Sequence, residues 1–163
     1  MKKNIIAALL VFGAAVNLAA GENIPRPEYP RPQFERQNWV NLNGEWTYRF
    51  DLNHVGLEKG YSESKGFDGT ILVPFSPESE LSGVGYTDFI TGIWYHRTLD
   101  VPAAWEGQRI FLNFGAVYYQ SEVFIDGKFV GRHFGGSSSF SFDITDFAAP
   151  GTSHDLVVYA QSD

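Results

Sequence analysis

Alternating apolar and polar residues over positions 107–145 constrain the fold of this chain more than any other feature of its sequence. Ile110, Leu112 and Phe114 share one face of a strand here, because successive side chains of a β-strand point to opposite sides of its sheet. The residues between them are an aromatic ring and an amide that fall on the other face. The pattern therefore predicts a strand with one buried face, followed closely by further strands.

A tight hairpin is predicted in the middle of this run. Asp126-Gly127 separates two β-prone segments, 121–125 and 129–134. Asp-Gly is typical of a two-residue type I′ turn, in which both central residues adopt positive φ. Gly135-Gly136 then allows a sharp turn into another alternating segment, 140–144. The run is thus expected to form consecutive antiparallel strands.

The same period of two recurs in the rest of the chain, in segments 45–50, 71–73, 92–101 and 155–161. Residues 52–69 have glycines at positions 56, 60, 66 and 69 and no sustained period, so we expect a loop there, with one short helical turn at 57–59. Together these segments predict an all-β chain. The expected architecture is a two-layer antiparallel jelly-roll β-sandwich with little helix.

Composition narrows the classes of partner and of structural site. The formal net charge is −7 and no basic cluster is present, which disfavours nucleic acid and anionic membrane surfaces as partners. The chain has no cysteine, which excludes disulfides, thiolate metal sites and a lipid-modified N-terminal cysteine. Aromatic residues make up 16% of the chain, and most fall at alternating strand positions. We therefore assign most of them to the core rather than to sugar stacking.

The N-terminal region predicts export. Residues 1–20 have two lysines, an apolar run and then small residues, which is the layout of a secretory signal peptide. The apolar run is shorter than the about 20 residues needed to span a bilayer, so no membrane association is expected after cleavage. The mature protein is expected in the periplasm or outside the cell. Residues 21–36 form a proline-rich lead-in, expected to be an extended strap or linker.

No set of residues in this sequence has the pattern of a catalytic or metal centre. Its four histidines lack His-x-His and His-x-x-x-His spacing, and neither a phosphate-binding loop nor a Gly-x-Ser-x-Gly elbow is present. The acidic residues, Glu122 among them, fall mostly at turns or on polar strand faces, where solvation or capping is expected. Asp143 is expected to fix a loop through backbone hydrogen bonds. We predict no catalytic residue, no metal and no cofactor.

Four blocks carry a resemblance to a known family, and they keep the order of that family. They are WVNLNGEWTYRFD at 39–51, VPFSPESELSG at 73–83, WYHRTLDVPAAW at 94–105, and the strand-Asp-Gly-strand run with Gly131, His133, Gly135-Gly136, Phe140 and FDIT at 142–145. In this order the blocks resemble the N-terminal sugar-binding domain of glycoside hydrolase family 2. That family contains β-galactosidases, β-glucuronidases and β-mannosidases.

The resemblance implies a domain organisation and a function. Residues 37–163 correspond to the N-terminal β-sandwich, which is galactose-binding-domain-like, and we expect the chain to be part of a longer protein. The parent would be a retaining β-glycosidase acting on a carbohydrate substrate. Its other domains would include an immunoglobulin-like sandwich and a TIM barrel, and the barrel would supply both catalytic carboxylates. The present chain would be non-catalytic.

The resemblance also implies which loops lie near the sugar pocket. The loops that carry the candidate substrate-binding residues are expected at the pocket edge, and these residues are Pro74, Phe75, Ser76, Glu78, Gly135 and Gly136. Loops at the end of a sandwich commonly carry ligand contacts. The alternative for Glu78 is an ordinary solvated turn residue.

Two other functions remain open from the sequence. A stand-alone carbohydrate-binding module would use Tyr118 and Tyr119 as a stacking platform. A structural spacer in an exported multidomain protein would need no site. The rest of the reading frame separates these functions from the first, because only the parent hydrolase requires a barrel with paired glutamates.

Overall fold

Eight β-strands and three single turns of 3-10 helix form the described part of the protein in a computed structural model, which describes residues 24–29 and 36–162. The strands are β1 (Gly44–Phe50), β2 (Gly69–Val73), β3 (Gly92–Asp100), β4 (Phe111–Phe114), β5 (Gln120–Ile125), β6 (Lys128–Phe134), β7 (Phe140–Asp143) and β8 (Ser153–Gln161). The 3-10 turns are Tyr61–Glu63, Glu80–Ser82 and Ala103–Trp105. The all-β prediction is confirmed.

The strands form two antiparallel layers. Six strands make one sheet in the order β2-β1-β3-β8-β5-β6, and β4 pairs with β7 in a second, two-stranded sheet. The predicted antiparallel jelly-roll sandwich is confirmed. A hydrogen-bonded turn covers the residues 57–59 where a helical turn was expected, since Lys59 N donates to Val55 O at 3.0 Å and Gly60 N to Leu57 O at 3.1 Å. Gly60, in a left-handed conformation (φ 73°), separates this turn from the 3-10 turn beginning at Tyr61.

The main core lies between the two layers. It is built from the alternating apolar residues that the sequence placed on one strand face, and the buried members are Trp46, Ile71, Leu99, Val101, Ile110, Leu112, Val123, Ile125, Ile144, Ala148, Leu156 and Val158. Burying a large aliphatic side chain of this kind contributes about 1.5–3 kcal/mol. The core therefore fixes the register of every strand, since a slip of one residue would turn these side chains outward.

The outer face of the six-stranded sheet is also covered. Trp94 is fully buried there, and its ring stacks on Tyr159 and Phe124 at centroid distances of 4.4 and 6.0 Å. Tyr61 and Phe67, from the loop between β1 and β2, pack over this cluster. The sequence predicted a loop here but not its role, which is to bury the second face of the sheet.

Asp51 holds this covering loop in place. Its carboxylate accepts hydrogen bonds from Val55 N at 2.9 Å, Gly56 N at 2.8 Å and Trp94 Nε1 at 2.9 Å. Burial raises the pKa of Asp51, but these hydrogen bonds and the nearby His54 lower it more, so that the pKa lies below its usual range. A single buried carboxylate thus joins the loop to the centre of the sheet.

The Asp126-Gly127 hairpin forms as the sequence predicts. Both residues have positive φ, 48° and 76°. Asp126 also accepts a hydrogen bond from Asp155 N at 2.9 Å and pairs with His154 Nδ1 at 2.6 Å. The turn residue therefore also ties the hairpin to β8.

The described part of the proline-rich lead-in lies against its own domain. The side-chain amide of Asn41 donates to Arg26 O at 3.0 Å, and that of Asn43 donates to Pro25 O at 3.1 Å. The rings of Tyr29 and Trp39 meet edge to face at 4.7 Å. The predicted signal peptide at 1–20 lies outside the described residues.

Gly127→Val tests the turn. We expect it to lower the free energy of unfolding by about 1–3 kcal/mol, because a β-branched residue is strongly disfavoured at positive φ. An added Cβ would also lie 2.7 Å from Glu63 Cγ. Gly115→Val is the matched control, since a Cβ at Gly115 meets nothing within 4 Å. Equal denaturation midpoints for the two variants would contradict the turn geometry.

Asp51→Asn tests the loop anchor. An amide cannot accept all three hydrogen bonds, so the free energy of unfolding at neutral pH should fall by about 1–3 kcal/mol. Asp68→Asn, at a side chain that is 91% exposed, is the matched control and should have a far smaller effect.

The stability difference between wild type and Asp51→Asn should depend on pH. Because the folded pKa of Asp51 is depressed below the unfolded value of about 3.9, its stabilisation is complete above that pH and is lost as pH falls through the folded pKa. The stability difference between wild type and Asp51→Asn, measured by denaturant titration, should therefore be constant near neutral pH and narrow as the pH falls below about 4. A constant difference would contradict an ionised anchor.

Candidate functional site

One edge of the six-stranded sheet collects four connecting segments. Gly92 at the start of β3 pairs with Gln161 at the end of β8, Gln161 pairs with Gln120 at the start of β5, and Gln120 pairs with Phe134 at the end of β6. The segments before β3, before β5, after β6 and after β8 therefore meet at this edge. Loops held on the end of a rigid sandwich are where ligand contacts concentrate.

An open groove of about 440 Å³ lies among these segments. It is lined by residues from the loop before β3, from the loop before β5 and from the end of β8, namely Glu78, Thr87, Asp88, Phe89, Ile90, Tyr118 and Ser162. Two of them are exposed aromatic side chains, Phe89 at 70% and Tyr118 at 67%. The groove thus combines two aromatic rings with two carboxylates and three hydroxyls.

Backbone hydrogen bonds hold the rim of the groove. Tyr86 N donates to Pro77 O at 2.9 Å and closes the loop before β3. On the other side, Tyr119 N donates to Gln161 O at 3.0 Å and Gly135 N donates to Tyr119 O at 2.8 Å. The loop before β5 is therefore fixed between β8 and the turn after β6.

The position of the Tyr118 ring depends on Gly136. A Cβ at Gly136 would lie 2.3 Å from Tyr118 Cδ2, so the ring packs directly on a residue without a side chain. The Tyr118 and Tyr119 rings meet edge to face at 5.9 Å. Gly136 therefore lets the Tyr118 ring lie where it lines the groove.

The negative side of the groove affects the tyrosine beside it. Burial raises the pKa of the Tyr95 phenol, and the negative charge of Glu78 raises it further. The Tyr95 phenol therefore remains neutral, and Glu78 lies close enough to Tyr95 to affect its pKa. A neutral phenol beside a carboxylate leaves the local charge of this region negative.

The structure brings together only some of the predicted site residues. Glu78 lines the groove, Gly136 contacts Tyr118, and Gly135 is hydrogen-bonded to Tyr119. The remaining three residues follow the end of β2 and do not line the groove, and they are Pro74, Phe75 and Ser76. Their contact with substrate stays a prediction.

Sequence reasoning missed most of the groove. Thr87, Asp88, Phe89 and Ile90 precede β3, and Ser162 follows β8. The pairing of β3 with β8 brings these two segments together, and it joins residues as far apart in sequence as Gly92 and Gln161. One signal was available in the sequence, since Phe89 is a large apolar residue that does not belong to an alternating segment.

Glu122 corrects the expectation that the acidic residues are solvated. It is buried on the outer face of the sheet, with 5% exposure, and pairs with Arg132 at 2.6 Å. A buried carboxylate needs such a partner, and Arg132 supplies it from across the hairpin. The alternation in the sequence placed Glu122 on the strand face opposite Val123 but did not indicate its burial or its ion pair with Arg132.

Asp143 behaves as the sequence predicts. It accepts hydrogen bonds from Thr145 N at 3.1 Å and Thr145 Oγ1 at 2.5 Å, and it pairs with Arg109. The Thr145 hydroxyl, the Arg109 guanidinium and the Thr145 amide together lower the pKa of Asp143 to about 2. Its role is to fix the turn after β7.

Within residues 24–29 and 36–162, no group of three or more His, Cys, Asp or Glu side chains is arranged to hold a metal ion. No helix in that part of the chain is long and apolar enough to cross a membrane.

Sequence comparison finds one family over most of the domain. The family model described as "Glycosyl hydrolases family 2, sugar binding domain" matches residues 39–161. A β-glucuronidase of Paenibacillus borealis is 29% identical over 119 residues, covering 72% of this chain and 20% of that protein. A β-glucuronidase of Bacteroides fragilis is 30% identical over 129 residues, covering 78% of this chain and 17% of that protein.

Structural comparison agrees. The β-glucuronidase of Lactobacillus rhamnosus superposes with a TM-score of 0.66 at 30% identity, over 75% of this chain and 21% of that one. The Ruminococcus gnavus β-glucuronidase in complex with D-glucuronic acid gives a TM-score of 0.66 at 26% identity, over 74% and 21%. The chain thus spans about a fifth of the length of these relatives.

Gly136→Ala tests how the groove is built. The added methyl group should displace the Tyr118 ring and so shift its assigned aromatic NMR signals, because the ring atom Cδ2 lies 2.3 Å from the new Cβ. The melting midpoint should change little, since Tyr118 is mostly exposed. Gly115→Ala, at an open position, is the control. Unchanged Tyr118 signals would contradict this packing.

Proposed function

We propose a division of labour within a larger hydrolase, on the premise that this chain belongs to the sugar-binding domain family of the family 2 glycosyl hydrolases. The domain is part of a larger family 2 hydrolase, which is consistent with its coverage of about a fifth of its relatives. In this division the present chain contacts carbohydrate and the remaining domains perform the reaction. The observation that carries the proposal is the groove at the loop-bearing edge of the sandwich.

The chemistry of the groove suits a sugar. The apolar C–H face of a pyranose ring stacks on aromatic side chains such as Tyr118 and Phe89, which the groove exposes. Sugar hydroxyls donate hydrogen bonds, and the carboxylates of Glu78 and Asp88 are acceptors for them. The groove would hold part of the substrate at the edge of the catalytic pocket.

The chemical step is assigned to the rest of the parent. Retaining glycosidases use two carboxyl groups about 5 Å apart, one as acid and base and the other as nucleophile. We place this pair in a TIM barrel, joined to the present domain through an immunoglobulin-like sandwich. The parent would then hydrolyse a β-glycoside with retention of configuration. Relatives named β-glucuronidase and β-galactosidase support this reaction class.

A stand-alone carbohydrate-binding module is the second candidate. The exposed rings of Tyr118 and Tyr119, at 67% and 48%, favour it over a structural spacer, which needs no exposed aromatic pair. The reading frame beyond residue 163 distinguishes the candidates. A barrel with paired glutamates supports the hydrolase, and a stop codon supports the module.

Export is proposed from residues 1–20 alone. Their lysines, apolar run and small residues fit a cleaved signal peptide, which would place the parent in the periplasm or outside the cell. Mass spectrometry of the mature N-terminus tests this proposal. A protein retained in the cytoplasm with residues 1–20 intact would contradict it.

The division of labour predicts opposite activities for the chain and its parent. The isolated chain should release no nitrophenol from nitrophenyl β-glucuronide, β-galactoside or β-mannoside above the buffer rate, because the catalytic carboxylate pair would be absent. The complete parent should hydrolyse one of them, and NMR of the first product should show the β-anomer.

Two variants serve as controls for this result. Glu78→Gln and Asp88→Asn remove the only two carboxylates that line the groove. If the isolated chain is active and loses that activity in either variant, then the catalytic carboxylates lie in this domain. That outcome would overturn the proposed division.

A further inference from the structure

We infer that the groove takes a neutral sugar unit and discriminates against an anionic one. This inference rests on the proposed function, since it names the class of sugar that the same groove accepts. It follows from the charges that line the groove and from where the arginines of the sandwich are engaged.

The two charged side chains that line the groove are both negative. Glu78 and Asp88 are both exposed on its lining, and the other lining residues are Thr87, Phe89, Ile90, Tyr118 and Ser162, none of which is a cation. The chain as a whole also carries a formal charge of −7. A uronate or sulfate group entering this groove would therefore meet two carboxylates and no lining counter-charge.

The arginines of the sandwich are engaged elsewhere. Arg49 pairs with Asp68, Arg109 with Asp143 and Arg132 with Glu122. Arg97 donates to the backbone carbonyls of Leu42 and Asn43 at 2.9 and 3.0 Å. None of these four side chains lines the groove, so the anionic lining is not neutralised by them.

Neutral sugar units fit the same surface without this penalty. The rings of Tyr118 and Phe89 can stack on the C–H face of a pyranose, and the two carboxylates can accept from its hydroxyls. A uronic acid makes the same stacking contact but adds a negative charge. The difference between the two ligands is then electrostatic and must depend on salt.

The negative charge of the groove also limits where the parent could bind the uronate group of a glucuronide. If the parent of this chain cleaves a glucuronide, its uronate group must be bound by another part of the protein. The groove would instead hold a neutral unit or a neutral aglycone. Charge on that second part of the substrate would then set the selectivity that this domain contributes.

Matched pairs of methyl glycosides test the inference. Methyl β-D-glucopyranoside and methyl β-D-glucopyranosiduronate differ only at C6, and the galacto series gives a second such pair. Dissociation constants for the full chain, measured by saturation-transfer NMR, should be lower for the neutral member by on the order of fivefold at ~10 mM salt. The ratio should approach one at ~1 M salt, where the screening length is about 3 Å.

Variants identify the source of the difference. Glu78→Gln with Asp88→Asn should weaken neutral binding, because both sugars lose hydrogen bonds to charged acceptors, and should bring the ratio of the uronide to the neutral dissociation constant from about fivefold to near one. Glu58→Gln removes the same type of charge outside the groove and is the matched control. Tyr118→Ala should weaken the binding of both ligands.

The outcomes separate the two claims. Equal affinities at low salt, or tighter uronide binding, with both ligands weakened by Tyr118→Ala, would overturn the charge selectivity and leave the sugar-binding groove intact. No binding of any of the four glycosides, or binding that Tyr118→Ala leaves unchanged, would overturn the groove as a sugar site and the selectivity with it.

Discussion

The hydrogen bonds of the buried Asp51 carboxylate are the interaction on which the rest of this structure depends. They join the loop after β1 to Trp94 in the middle of the sheet, so that the outer face of the sheet is covered as well as the inner one. Asp51 N also donates to Gly92 O at 2.8 Å, where β3 begins. The same residue therefore fixes both the covering loop and the strand end beside the groove.

A sheet buried on both faces gives the groove a rigid base. The groove residues belong to connecting segments, which by themselves would have many conformations. Here they are attached to adjacent strand ends and cross-linked by backbone hydrogen bonds such as Gly135 N to Tyr119 O. Tyr118 is further fixed because its ring packs on Gly136. Preorganisation of this kind lowers the entropic cost of binding a small, polar ligand such as a sugar.

The sequence predicted those parts of the fold that local chemistry determines. The strands follow from alternation, and the hairpin follows from Asp126-Gly127, because few residues other than these tolerate two successive positive φ angles. The family resemblance is borne out over residues 39–161. Features that depend on distant pairing were not predictable. Glu122 is buried and pairs with Arg132 on the neighbouring strand, and Phe89 and Tyr118 line the same groove because β8 lies between β3 and β5.

Mapping a bound sugar on the domain is the most direct test of the groove as a sugar site. Amide chemical shifts of the isotope-labelled chain would be followed during titration with methyl β-D-glucopyranoside and methyl β-D-galactopyranoside. The shifts are expected to concentrate in residues 77–91, 116–119 and 135–137 and at Ser162, with the loop at 52–68 that covers the outer face of the sheet unaffected. Shifts centred on that loop or on the exposed Phe129 of β6, with none around Tyr118, would contradict a sugar site in the groove.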